Sequence, residues 1–437
     1  MNRRFALSTL AAPFAAFAAE WPGWRGPSGD GVLDLPGLPL EWSTTRNVAW
    51  KTPVVGRGHS SPVIWGNRIF LTTSIESAEK AEGAKPVRHK FAGEDPFVHP
   101  QSVGGDRKYT LKVLCLDRAA GKILWERTAY EGLAFDARHQ KNSYATPTPV
   151  TDGKYVYVSF ESQGVYCYGL RGALAWKASF GGVATVGMGP GTSPVLAGGN
   201  LIFVLDQDMG ENSFIAALDA RTGKEKWRVR RENRVTWSTP LVVESRSGKQ
   251  LIVPGSEAIV SYDPATGKER WRGPALEGNA VPSPVAGHGM VYVMTGHPNK
   301  LAYALRIDHE GTPESRVVWQ HKKGTGYVPS PVLYSDYLYV LEDRGLLTCL
   351  DAKTGKVMYE GKRVPDPGWF RASLAAYDGK ILMSSEEGDY YVIKAGPEFE
   401  VLAKNSLEEG VYASPAMHSD SLYLRTVGHL YRIRKQS

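Results

Sequence analysis

Residues 217–227 read Ala217-Leu218-Asp219-Ala220-Arg221-Thr222-Gly223-Lys224-Glu225-Lys226-Trp227. Leu218 closes an apolar run, so the segment begins as the end of a strand. Asp219 and Thr222 carry short side-chain oxygens that cap a tight turn through local hydrogen bonds. Gly223 supplies the positive φ that a hairpin needs, and the Trp227 indole is bulky enough to fill the gap between neighbouring sheets. The order recurs at Asp263 to Trp271 and Asp117 to Trp125, with tyrosine replacing tryptophan at Asp351 to Tyr359; the units around Trp176, Trp319 and Leu402 keep parts of it. These positions read as structural, not catalytic.

Upstream of each such turn stands a second signal, Ser/Thr-Pro before a small apolar residue: Ser61-Pro62, Thr148-Pro149, Ser193-Pro194, Thr239-Pro240, Ser283-Pro284, Ser330-Pro331 and Ser414-Pro415, with Ser373-Leu374 as a degenerate copy. From Pro149 onward the steps are 45, 46, 44, 47, 43 and 41 residues, the length of a four-stranded propeller blade. The first step, 87 residues, must hold an insertion, placed at 74–108. The expected fold is all-β: an eight-bladed β-propeller of four-stranded antiparallel blades. The unit from Ser414 to Arg434 has room for three strands, and Asn47-Val48-Ala49-Trp50-Lys51-Thr52 matches an outer Trp strand. The N-terminal segment is therefore expected to close the last blade and cover its edges.

Composition agrees: 47 glycines, 28 prolines and 11% aromatics suit many short strands and turns rather than helices. Arg3 and Arg4 precede an apolar run from Phe5 to Phe17, and Ala16-Phe17-Ala18 gives a small-x-small cleavage pattern, so residues 1–19 read as a secretory signal. Residues 20–46 form a leader and 47–437 the propeller. No later run reaches membrane-spanning length. Basic and acidic residues are interleaved around a net charge of +7, which argues against nucleic-acid binding. The expected location is periplasmic or extracellular, as a monomer. Cys115, Cys167 and Cys349 occupy strand positions and read as small buried residues, not as a disulfide framework.

In a four-stranded blade, the loops leading into the inner strand and the loops joining strands two and three share one face. Side chains just before each Ser/Thr-Pro should therefore ring one mouth of the channel. The candidate ligand-binding set is Arg57, His59, His139, Lys141, Asn142, Trp237, Asn279, Tyr327, Trp369 and Arg371, near Tyr144, Met188, Phe370 and Tyr412. Glu161, Asp206, Asp208, Glu342, Asp343, Glu386 and Glu387 follow second strands on the same side. Aromatic platforms beside charges and amides suit stacking and orienting a flat or sugar-like ligand. The insertion carries His89, Glu94, Asp95 and His99, whose spacing matches no zinc motif; they read as solvated loop residues, and no metal site is assigned.

With its Ala-x-Asp-x-x-Thr-Gly-Lys-x-x-Trp unit, the chain from about 45 to 437 resembles the pyrroloquinoline-quinone (PQQ)-like propeller family, and Trp21-Pro22-Gly23-Trp24-Arg25-Gly26-Pro27 looks like the leader of secreted bacterial members. The resemblance implies either of two functions. One is that of quinone-dependent alcohol and sugar dehydrogenases, which use PQQ and calcium; Trp237, Asn279, Asp206 and Asp343 are the residue types such a site needs. The other is that of non-enzymatic relatives, such as the propeller lipoprotein of the outer-membrane β-barrel assembly machinery. Adjacent cysteines, which cover the cofactor in many of the alcohol dehydrogenases, are absent from the sequence. The favoured expectation is a cell-envelope scaffold binding a protein or glycan at the mouth, with the PQQ- and calcium-dependent dehydrogenase as the alternative and no catalytic residue assigned.

Overall fold

The computed structural model describes residues 20–84, 89 and 98–436, and the signal-like segment 1–19 lies outside them. Their regular structure is β throughout, apart from two three-residue 3-10 turns. Eight four-stranded sheets form the ring, as the repeat requires. Blade 1 comprises Val63–Trp65, Arg68–Lys80, Arg107–Asp117 and Ile123–Leu133 from inside out. Blades 2 to 7 follow at 150–178, 195–230, 241–272, 285–321, 332–363 and 375–406. Blade 8 takes Ala416–His418, Ser421–Arg425 and His429–Arg434, and its outer strand is Val48–Pro53, which pairs Trp50 with Arg432 and Thr52 with Leu430. The first and last thirds of the chain are thus stitched into one sheet, leaving no open seam.

The Ser/Thr-Pro repeat has a physical purpose that spacing alone does not disclose. The backbone N–H of Ser61 donates to Thr148 Oγ1 at 2.9 Å, Thr148 N–H to Ser193 Oγ at 2.9 Å, and Ser193 N–H to Thr239 Oγ1 at 3.0 Å. The chain of bonds continues through Ser283, Ser330 and Ser373 to Ser414 Oγ. Each hydroxyl serves the backbone of the preceding blade, so the inner strands are tied around the axis. Blade 7 keeps Ser373 although it lacks the proline, because the ring uses the hydroxyl. The circuit ends at Ser61, whose Oγ is buried without a partner among the described residues.

A second tie runs around the outside. Asp219 Oδ1 accepts from the N–H groups of Arg221 and Thr222, fixing the turn. The Trp176 indole of blade 2 lies over that turn of blade 3, where a Cβ on Gly223 (φ +72°) would come within 2.5 Å of the ring. Trp176 Nε1 donates to Ala220 O at 3.0 Å. The same docking joins Trp50 to Arg118 O, Trp125 to Leu170 O and Trp319 to Ala352 O. Between the two ties the sheets share apolar clusters, such as Ile202, Val204 and Ala217 of blade 3 with Leu251, Val253 and Val260 of blade 4. Cys115, Cys167 and Cys349 are free and buried in this packing, and burial pushes each thiol up to about 12.

The leader is not a free tail. Trp21 exchanges backbone hydrogen bonds with Ile64, Pro22 O accepts from Thr151 N, Trp24 Nε1 donates to Ser283 Oγ, and Ala376 N donates to Gly31 O. Arg25, 2% exposed, gives its guanidinium to the carbonyls of Asp30, Pro331 and Leu374. Burial lowers this arginine to about 10 despite the nearby Asp30. Gly31 (φ +81°) is required beside it, since a Cβ there would stand 2.8 Å from Arg25 Nη2. Residues 21–33 therefore touch inner strands of several blades. The neighbouring Glu20 and Asp34 cap turns that join first to second strands, as Gly66 N donates to Glu20 Oε2 and Asp378 N to Asp34 Oδ1. The leader thus packs at the end opposite the loops that lead into the blades.

Candidate functional site

The lead-in loops and the loops after second strands meet at one end. Arg57 bridges Ser74, and Phe370 bridges Ser385. Phe370 N donates to Asp343 O at 2.8 Å, joining blades 7 and 6, and Val411 N donates to Glu386 O at 3.1 Å, joining blades 8 and 7. A polar network runs across these loops. Asn279 Nδ2 donates to Tyr327 Oη at 3.1 Å, and the N–H groups of Tyr327 and Val328 donate to Asp343 Oδ1. Asp343 Oδ2 pairs with Arg371, whose Nε donates to Glu386 Oε1 at 2.7 Å; Lys141 Nζ donates to Glu386 Oε2 at 2.8 Å. Side chains from loops of blades 5, 6, 7 and 2 are thereby held as a unit.

Trp369 lies against that network and remains 40% exposed. Lys141 Nζ, Arg344 Cζ and Arg371 Cζ stand 5.7, 5.2 and 5.3 Å from its ring centre, within the range of cation–π attraction. Glu387 accepts from the Trp369 backbone N–H at 3.1 Å and pins the loop that presents the indole. His139 Nδ1 accepts from Lys141 N at 3.1 Å, while its Nε2 faces Gln101 Oε1. His59 stacks on Tyr412 with centroids 4.6 Å apart.

Around His59, His139 and Arg57 the neighbouring charges are mostly positive. Burial holds His59 well below the usual histidine range, with Arg57, Arg425 and Arg138 adding to the effect. Burial also lowers His139, helped by Arg371, His99, Lys141 and Arg57. The Arg57 guanidinium is itself lowered, by burial and then by Arg138. Further in, Arg425 is 2% exposed, bonds only Ser60 and Thr72 among the described residues, and is brought down to about 9 by burial.

Of the ten candidates, Asn279, Tyr327, Arg371, Lys141, Trp369 and His139 are brought together by these contacts, and Arg57 and His59 lie within electrostatic reach of His139 and Tyr412. Two others are spent on joining blades. Asn142 Nδ2 donates to Met188 O and Pro190 O, and Trp237 Nε1 donates to Gly189 O while its ring packs on Gly191. Arg344 lies in a loop after a second strand, where the sequence reading singles out only the acids, Glu342 and Asp343 among them. Glu161, expected on the rim, is buried and pushed up to about 7 by that burial.

Two expectations need correction. Asp206 offers no free oxygen: Arg231 pairs with both of them, Asn233 and Thr236 also donate, and its side chain is 0% exposed. His89 is not a solvated loop residue; it is 1% exposed, with Nε2 3.1 Å from Asp136 and Nδ1 3.0 Å from Asp208. Glu94 and Asp95 lie outside the described residues, whereas His99 is partly exposed. The insertion begins as ordinary sheet, since Arg68–Lys80 pairs with Arg107–Asp117 well beyond the ring, and Ser102–Val103 pairs with Arg138–His139.

Burial alone would lower His89, but hydrogen bonds to Asp136 and Asp208 outweigh it and raise the imidazole to about 9. A folded-state value above the unfolded ~6.5 means that its stabilisation is complete below pH ~6.5 and is lost as pH rises through about 9. Thermal melts of wild type and His89→Gln between pH 6 and 10 should therefore differ most at pH 6 and converge by pH 10. A gap that widens with pH would show that His89 is not held as a cation.

A cavity of about 850 Å³ opens at the opposite end between blades 4 and 5, lined by Asp263, Arg270, Trp271, Asp308 and Arg316 among others. It exists because blade 5 has a longer turn before its outer strand Val317–His321 than blade 3 has before Glu225–Arg230. Arg316 takes the place of the missing glycine turn, 4.2 Å from the Trp271 ring centre. That aromatic face is already covered.

Eight four-stranded blades, tied inside by hydroxyls and outside by docked indoles, define a propeller of the tryptophan-docking type. The chain belongs to the PQQ-like propeller family: residues 110–358 and 306–396 match the family model described as outer membrane protein assembly factor BamB. Outer membrane protein assembly factor BamB of Marinobacter adhaerens is 23% identical over 159 residues, 35% of this chain and 38% of that protein. The match thus spans less than two thirds of that relative's length. The crystal structure of BamB from Moraxella catarrhalis covers 84% of this chain and 99% of its own at 11% identity, with a TM-score of 0.55. Quinohemoprotein alcohol dehydrogenase from Comamonas testosteroni covers 97% of this chain and 82% of its own at 12% identity, with a TM-score of 0.65. At these identities the likeness is one of fold, shared by an assembly factor and an enzyme alike.

Proposed function

We propose that this chain is an exported propeller scaffold of the cell envelope that binds a protein segment across the lead-in loops. The observation that carries the reading is Trp369, a large exposed indole held rigidly over the Asp343–Arg371–Glu386–Lys141 network. A preordered aromatic anchor within a ring of satisfied polar groups is the arrangement of an interface hot spot. Export rests on the signal-like residues 1–19, and a protein partner on the resemblance to outer membrane protein assembly factors.

The residues do not fit a PQQ and calcium site. Asp206 is saturated by Arg231, Asn233 and Thr236, Asp343 by Arg371 and two backbone N–H groups, and the Trp237 ring rests on Gly191. Both carboxylates and the tryptophan are already committed to the fold, and the Asn279 amide, whose Nδ2 donates to Tyr327, leaves one neutral oxygen, too few ligands for calcium. Spectral and calorimetric titration with PQQ plus calcium should accordingly show no saturable binding. Stoichiometric binding would revive the dehydrogenase.

A photo-crosslinking amino acid at position 369, in cells, should capture a defined envelope protein, whereas the same probe at Ser247, beside the cavity between blades 4 and 5, should not. Equal labelling from both positions, or none from position 369, would overturn the assignment of this face. Trp369→Ala should leave the melting temperature nearly unchanged and reduce that capture at least tenfold when the crosslinker is moved to the exposed Val427 on the adjoining loop of blade 8.

A further inference from the structure

Two arginines of the lead-in face stand without an acid partner. Each acid beside the network is occupied. Asp343 and Glu386 hold Arg371 and Lys141, Glu387 holds the Trp369 N–H, Glu342 pairs with Lys300, and Glu76 pairs with Arg107 and Arg138. Arg57 and Arg344, by contrast, make no ion pair and no side-chain hydrogen bond among the described residues; Arg344 lies over the Trp369 ring. Arg57 is partly buried, which makes an unpaired charge costly, and it sits in the field of Arg138, His59, His139 and Tyr412, with Glu76, already paired to Arg107 and Arg138, as the acid acting on it without a direct contact. Next to it, His59 Nε2 is buried with no hydrogen-bond partner. Guanidinium groups without acid partners, one of them against an exposed indole, describe the complement of a ligand bearing carboxylates.

Resting on the scaffold reading above, we propose that the partner segment is acidic: one of its carboxylates pairs with Arg57 in the sector formed by blades 8, 1 and 2, and another pairs with Arg344 beside Trp369. A guanidinium recognises a carboxylate through two parallel N–H···O bonds, so both positions select Asp, Glu or a chain terminus over neutral side chains. Blade contacts are not disturbed by this assignment, because neither arginine side chain ties one blade to another through a hydrogen bond or an ion pair.

The test uses the full exported chain and fluorescein-labelled peptides of alternating glutamate and alanine, with a lysine–alanine peptide and citrate as comparison arms, followed by anisotropy or competition at low and at physiological salt. The acidic peptide should bind, weaken as salt rises, and lose at least tenfold in affinity in Arg57→Gln/Arg344→Gln. Arg246→Gln, at the cavity between blades 4 and 5, should leave binding unchanged. Equal binding of the basic peptide, unaltered affinity in the double variant, or no binding of the acidic peptide would overturn the acidic-partner assignment. Citrate competing as tightly, carboxylate for carboxylate, would overturn the peptide in favour of a small polycarboxylate. Capture through position 369 can succeed while this test fails, so the outcome separates partner chemistry from the scaffold reading itself.

Discussion

A chain lacking residues 20–53 should fail to fold cooperatively. The deletion removes Val48–Pro53, the outer strand of blade 8, and exposes the N–H and C=O groups of His429–Arg434 on a new sheet edge. It also removes the leader, in which Trp21, Leu33, Leu38 and Trp42 are all less than a tenth exposed and belong to one apolar cluster with blades 1, 7 and 8. Burying a large apolar side chain stabilises by about 1.5–3 kcal/mol, so these four together rival the ~5–15 kcal/mol net stability of a whole domain. Circular dichroism melts would check this: the truncated chain should show no cooperative transition, whereas removal of 20–46 alone, keeping the strand, should leave a weakened one. A melting temperature within a few degrees of the full chain for the longer deletion would mean that blade 8 does not depend on the N-terminal strand.

The ring could be read from sequence because its constraints are local and repeated. Asp219, Thr222 and Gly223 satisfy one turn among themselves, and the same solution recurs wherever that turn recurs. Blade number and the closing strand followed from spacing, and the observed strand Val48–Pro53 lies one residue from the stretch 47–52. The leader's packing was illegible for the opposite reason: Arg25 finds its acceptors at Pro331 and Leu374, some three hundred residues away, and no pattern along the chain announces that pairing. His89 shows the same limit, since Asp136 and Asp208 come from loops of different blades. At the lead-in face, Lys141, Trp369 and Arg371, picked out as residue types before a Ser/Thr-Pro or its degenerate copy, share one network of contacts. Sequence could not tell that Asn142, Trp237 and Asp206 spend their polar atoms on the scaffold, because satisfaction of a polar group is a property of its neighbours in space.

Among the docked indoles, Trp319→Ala should be the most damaging, more so than loss of Trp227 from the fullest copy of the motif. Trp319 is 8% exposed, donates to Ala352 O at 2.9 Å and lies against Tyr292. Trp227 is only half-buried, and its Nε1 finds no partner among the described residues. Truncating a buried tryptophan costs about 3–5 kcal/mol, which urea unfolding resolves easily; Trp227→Ala should cost clearly less. The docking surface supplies an independent handle. Gly355, at φ +73°, would place a Cβ 2.8 Å from Trp319 Cγ and Cδ2, so Gly355→Val adds steric conflict with the indole to the strain of a β-branched residue in the left-handed region. In the Trp319→Ala background the indole is gone and only the backbone strain remains. The two substitutions together should therefore destabilise by less than the sum of their separate effects, a coupling expected for residues in direct contact. Strict additivity would mean that the indole of blade 5 is not seated on the glycine turn of blade 6, and the outer tie between blades would need another explanation.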